Sequence, residues 1–210
     1  MSAARDASRT PGLSQAADAG VEGNTRLTSA TGIVLLAMLA VEGYTVLDVR
    51  GMITLHVFLG VVLLGPVLLK VAATLYRFSR YYTGDEPYVR KGPPHILLRV
   101  LGPLVTISTL GLLGTGVGLL AVRPGGGVLL TAHKVSFIAW FGLMTIHVLG
   151  HLREAAVASW HEVRETSRQQ RLRLTLIALA LLVGLGTATA LMPSAGSWTH
   201  RGHVVSNDGR

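Results

Sequence analysis

The stretch HKVSFIAWFGLMTIHVLGH, residues 133–151, decides the fold. Its length is close to the ~20 apolar residues that a bilayer-spanning helix needs. In hydrocarbon every backbone amide must find its partner within the segment, so a run of this kind is a helix. Yet it carries three imidazoles, His133, His147 and His151. Polar groups inside a span are costly and mark function by default.

Four further apolar runs surround it. The spans read from the sequence are 29–48, 51–75, 95–122, 127–152 and 173–192. Hydrophobic residues make up 50% of the 210, and charged residues only 14%, against about 25% in soluble domains. The expected architecture is an all-α integral membrane bundle of five transmembrane helices. Residues 29–152 form a four-helix core, and 173–192 form a fifth helix. Ser29 is placed to cap the first span, Pro93 and Pro94 to open the third, and Pro193 to follow the fifth. Residues 1–28 are polar and read as a disordered tail. They lack the apolar run of a signal peptide.

Basic residues set the expected orientation. Arg77, Arg80, Arg90 and Lys91 lie between spans two and three, and Arg153, Arg164, Arg168, Arg171 and Arg173 between four and five. The other two connections carry one each, Arg50 and Arg123. Basic loops stay in the cytoplasm, which puts the N-terminus inside and the tail 193–210 outside. The connection 153–172 reads either as an amphipathic helix on the inner membrane surface or as a solvated linker. The net charge of +8 is therefore matched to membrane lipid and not to nucleic acid. With no cysteine in the chain, disulfides, thiolate metal sites and covalent haem attachment are excluded.

Depth orders the histidines. His56 in span two and His133 in span four fall at one level in the outer leaflet. His147 is 14 residues beyond His133, within about 40° of the same face and ~21 Å further along the axis. His151, 18 residues from His133, shares that face at ~27 Å. His95 opens span three at the inner side. A bare zinc or copper site would recruit carboxylates or sulfur, and neither is seen at these levels. An axial haem site needs only two imidazoles on facing helices. Gly60, Gly142 and the glycines of span three leave room for a flat group, or serve helix packing of the small-xxx-small type, as at Gly114 and Gly118.

The pattern resembles the membrane-bound di-haem cytochrome b family, which includes the cytochrome b subunits of formate dehydrogenase and nickel–iron hydrogenase. The resemblance covers roughly residues 30–155. It rests on the His133–His147 pair with His56 on a neighbouring helix, and on the run YRFSRYYTGDEPYVRKGPPHILLR at 76–99. It implies two bis-histidine haem b groups, the outer on His56 and His133, the inner on His147 with His95. His151 competes with His147 for the inner site. The family often supplies a first-span histidine, and this first span has none. Lys70 and Arg99, in the inner leaflet, are placed to pair with haem propionates; Arg99 can equally snorkel to the interface. Lys134 could pair similarly outside. Glu42 is either an outer-interface carboxylate or a proton acceptor for quinol.

The function expected is electron transfer through the bilayer, between a quinone/quinol pool and a redox partner subunit, as the electron-transfer subunit of an oxidoreductase. No catalytic residue is assigned, and glycine-rich 111–120 lies mid-span, where it cannot bind a nucleotide phosphate. The competing expectation is a histidine-lined transporter or proton/metal pathway without haem. A structural anchor would leave the paired histidines unexplained. His200 and His203 belong to the tail.

Overall fold

The computed structural model describes residues 10–92, 96–122, 127–162, 168–196 and 198; the side chains at 10–17, 97–98 and 151–162 fall outside that description. Among the described residues seven helices follow one another: α1 (Thr10–Leu47), α2 (Ile53–Val62), α3 (Leu64–Tyr82), α4 (Glu86–Lys91), α5 (Ile96–Leu120), α6 (Gly127–Glu162) and α7 (Arg168–Leu191), with a 3₁₀ turn at Met192–Ala195. No strand occurs among the described residues. Five segments are long and apolar enough to cross a membrane: Asp18–Leu47, Ile53–Tyr82, Arg99–Leu120, Gly127–Gly150 and Arg168–Ala195. Their outward faces are apolar. Ile107, Ile138, Leu149 and Val183 are each more than 60% exposed, a surface suited to lipid and unusual in water.

The α2–α3 rod is the hub, with 39% of its apolar window buried against 6–17% for the other spans. Leu63 and Val67 pack with Leu35 of α1, and Leu113 of α5 leans on them. Val61 and Val62 pack with Ala188 of α7 and with Leu120. The second span, expected as one helix over 51–75, is interrupted at Leu63 and continues to Tyr82. Pro66 explains the interruption, because it has no N–H to return to the Val62 carbonyl.

That carbonyl faces α7. A Cβ on Gly184 would overlap the Val62 carbonyl oxygen, and a Cβ on Gly65 would overlap that of Ala180. Two glycines thus let α7 lie backbone-to-backbone against the break, where Cα–H groups can meet carbonyl oxygens. Ala180, Gly184 and Ala188 are all buried and recur every four residues along α7. Small residues also allow close approach in span three, where a Cβ on Gly118 would meet Leu129 at 3.4 Å. At Gly114 a Cβ would meet nothing within 4 Å.

Two expectations about the ends are corrected. The tail assigned to 1–28 is helical from Thr10, so Ser29 lies inside α1 and caps nothing. Val21 is 4% exposed, and polar contacts hold this part of α1 to α3 and α4. Arg90 pairs with Asp18 at 2.6 Å. Lys91 reaches Thr25 Oγ1 at 2.8 Å and Glu22 at 3.5 Å. Asn24 donates to the Ala73 carbonyl at 3.2 Å. These long-range partners were hidden in a segment with no apolar periodicity.

The connection assigned to 153–172 is helical through Glu162 as a continuation of α6, and α7 begins at Arg168. Residues 163–167 lie outside the described residues. Arg173, read as part of the connection, is 6% exposed inside α7. α7 ends at Leu191 before Pro193, as expected. Trp198 then donates its indole N–H to the carbonyls of Leu119 and Val122, at 2.9 and 3.0 Å, capping the end of α5.

Candidate haem-ligand site

Four helices converge at one end of the bundle. Asp48 closes the turn after α1, accepting from Met52 N at 2.9 Å with its carbonyl and from Gly51 N at 3.1 Å with its carboxylate. This tight reversal brings the last turns of α1, with Glu42 and Thr45, alongside the first turn of α2, with His56. α5 and α6 form an antiparallel pair pinned by the Trp140 indole N–H donating to Thr109 Oγ1 at 2.9 Å. Their shared end carries Thr115, Gly116 and His133.

Here the sequence expectation of two imidazoles at one level is met in three dimensions. The rings of His56 and His133 lie 6.4 Å apart, centroid to centroid, with planes at 73°. Two imidazole nitrogens each ~2 Å from one metal, with each ring centre about 1 Å further out, would stand about this far apart.

The hydrogen bonds fix which nitrogen each ring can offer. Thr45 Oγ1 lies 3.0 Å from His56 Nδ1 and donates its own proton to the Glu42 carbonyl at 2.6 Å. Its oxygen is therefore left to accept from the ring. Glu42 Oε1 lies 2.9 Å from the same Nδ1. Thr115 Oγ1 is 3.1 Å from His133 Nδ1, and its proton goes to the carbonyls of Gly111 and Leu112, both at 2.9 Å. These acceptors favour the tautomer with the proton on Nδ1, in which each Nε2 would keep its lone pair. A partner on the far ring nitrogen that orients and polarises the imidazole is the usual support of a metal-ligating histidine.

Small residues make the space. A Cβ on Gly116 would meet His133 Cε1 at 3.1 Å, and one on Gly60 would meet Glu42 Oε1 at 3.4 Å. Thr45 is fully buried. Glu42 is only 12% exposed, and its second oxygen is buried with no hydrogen-bond partner. Glu42 therefore turns inward to the histidines, unlike an interface carboxylate. Among the described residues no group of three or more His, Cys, Asp or Glu is arranged to hold a metal ion. A carboxylate does stand at the level of the two imidazoles, contrary to the sequence expectation: Glu42 Oε1 is 2.9 Å from His56 Nδ1.

The opposite end is less assembled. His147 is half-buried on α6. His95 lies outside the described residues, as does the side chain of His151, so the inner ligand pair is not built here. Lys70 does not reach a carboxylate: its Nζ donates to the Thr28 carbonyl at 2.8 Å, across the space left by Gly32. Arg99 bonds the Tyr82 hydroxyl, its guanidinium 5.7 Å from that ring's centre, and is exposed. Lys134 is exposed beside His133.

Thr45 and Thr115 are the site residues that sequence reasoning missed, and Gly116 was read only as one of the span-three glycines. One signal was available: a threonine three residues after Glu42 lies on the same helical face. Thr115 and Gly116 sit in a run of small residues where nothing distinguishes them. Comparison of the chain with protein-family models, curated proteins and solved structures finds no match in any of the three.

Proposed function

We propose that this chain is a b-type membrane cytochrome, with one haem b held between His56 Nε2 and His133 Nε2. One observation carries the reading: two imidazoles lie 6.4 Å apart, edge-on at 73°, with Nδ1 of each beside a threonine hydroxyl from another helix. Haem iron supplies reversible one-electron chemistry when bound. The chain's own part is to present two imidazoles and hold their rings among the apolar residues of α1, α2, α5 and α6. Two histidine ligands would suit such a haem to electron transfer and not to oxygen chemistry.

A second haem b would use His95 with His147 or, in its place, His151, ~20 Å further along α6. Lys70 and Arg99 lie towards that end as candidate propionate partners. Two centres so spaced form an electron path across the bilayer. Quinone is the electron carrier that dissolves in lipid, and the other partner is a redox protein subunit. The basic connections favour an N-terminus in the cytoplasm and the His56 end outside.

The test is a pyridine haemochrome assay with a reduced-minus-oxidised spectrum of the purified chain. Haem b at one or two per chain is expected. A protein without haem ends this reading and leaves a haem-free histidine pathway.

A further inference from the structure

The two imidazoles are not equally supported. His133 Nδ1 meets a hydroxyl, Thr115 Oγ1 at 3.1 Å. His56 Nδ1 meets a hydroxyl and a carboxylate, Thr45 Oγ1 at 3.0 Å and Glu42 Oε1 at 2.9 Å. The carboxylate sits within a span, 12% exposed, and its Oε2 is buried with no hydrogen-bond partner. No lysine or arginine forms an ion pair with Glu42 among the described residues. The α2 and α6 groups facing it are His56 and, behind that ring, His133. α5 contributes only Thr115 at this level, and the described arginines of α7 lie at its other end. Asp48 is exposed beyond the end of α1. An isolated carboxylate in a low-dielectric span is costly unless a positive charge lies close by.

We propose that Glu42 is the positioning residue that sets the redox poise of the His56–His133 site, by polarising the His56 Nδ1–H and setting a negative charge against the oxidised centre. The inference rests on the haem reading above. Ferric haem carries one more positive charge than ferrous haem, so a fixed carboxylate beside the axial ring favours the ferric state. It also draws the Nδ1 proton and makes Nε2 a stronger donor. Both effects lower the midpoint potential. Hydrogen bonding and charge near the axial ligand are the levers by which a protein tunes haem. Glu42 touches the His56 ring directly, so its effect falls on that centre.

The test is spectroelectrochemical titration of the full-length protein and its variants, with the near-infrared and electron paramagnetic resonance signatures of the ferric centre. Glu42→Gln keeps the shape and a hydrogen-bond acceptor but removes the charge. It should favour the reduced form about tenfold at fixed applied potential, a rise of ~59 mV for one electron. The ferric signatures should move towards a neutral imidazole, and Glu42→Asp should fall between Gln and the parent. The His147 centre should not move. Unchanged potential and ferric signatures in a haem-replete Glu42→Gln protein overturn the inference but not the haem reading. An equal shift of both centres also overturns it. Should Glu42→Gln lose the haem, Glu42→Asp decides: an unchanged potential there overturns the inference. A parent protein without haem overturns both readings.

Discussion

His56 and His133 come from helices that do not follow one another in the chain, yet their rings stand 6.4 Å apart at 73°. If they share one iron, neither can be removed without losing the centre. His56→Ala and His133→Ala should each abolish the same haem signal, and the double variant should lose no more. His147→Ala should remove a different signal and leave the first intact. The measurement is haem per chain with the split of the reduced α-band. Separate, additive losses from His56→Ala and His133→Ala would show that the two rings serve different sites.

Thr115 Oγ1 and Thr45 Oγ1 stand beside the Nδ1 atoms of His133 and His56. Thr115→Val keeps the shape and removes the acceptor at 3.1 Å from His133. Loss of such an outer partner lowers metal affinity about 10–100-fold. Haem retention under stepwise detergent dilution or apomyoglobin challenge should fall accordingly. Thr45→Val should have a smaller effect, because Glu42 Oε1 still accepts from His56 at 2.9 Å. The reverse order would contradict the asymmetry between the two rings.

How much of this was readable in advance differs by residue. The five apolar spans and the levels of His56 and His133 follow from length, hydropathy and helical rise. They depend only on distance along a helix. Which residue faces which depends on rotation and on contacts between helices, and these leave little trace in one sequence. Thr115 differs from Thr109 only in what stands opposite: His133 Nδ1 in one case, the Trp140 indole in the other. The helical stretch of α1 before Ser29 was misread because its partners, Arg90 and Lys91, lie far along the chain. Pro66 was visible, but its effect at Leu63 has meaning only with Gly184 against the freed carbonyl.

Gly184 and Gly186 offer a controlled contrast on α7. A Cβ at Gly184 would overlap the Val62 carbonyl, whereas one at Gly186 would meet nothing within 4 Å. Gly184→Ala should destabilise the bundle by about 1–3 kcal/mol, as overpacking does. Gly186→Ala should be neutral or stabilising by up to ~1 kcal/mol through helix propensity. Thermal unfolding in one detergent, followed by circular dichroism, reads both. Equal effects would mean that α7 does not rest on the α2–α3 break.

Gly116 and Gly114 provide the same contrast at the site. Gly114 has open space, but a Cβ on Gly116 would lie 3.1 Å from His133 Cε1. Gly114→Ala should leave haem content and spectrum unchanged. Gly116→Ala should push the His133 ring by a few tenths of an ångström and broaden or shift the α-band of the outer centre alone. An unaltered spectrum in Gly116→Ala would show that His133 is free to give way and is not fixed by a ligand.

The basic connections predict orientation, and the absence of cysteine makes the prediction direct to test. Thr83 follows α3 and Val49 follows α1; both are exposed. They lie at opposite ends of the bundle, because α2 and α3 run the whole way between them. Arg77, Arg80, Arg90 and Lys91 cluster near Thr83 in the chain, whereas Arg50 alone lies near Val49. Cytoplasmic retention of basic loops therefore puts Thr83 inside and Val49 outside. A membrane-impermeant maleimide should label Val49→Cys in intact cells or right-side-out vesicles and Thr83→Cys only in inverted ones. The opposite pattern would invert the bundle and place the His56–His133 pair at the cytoplasmic surface. An electron partner of the outer centre would then have to be sought among cytoplasmic proteins.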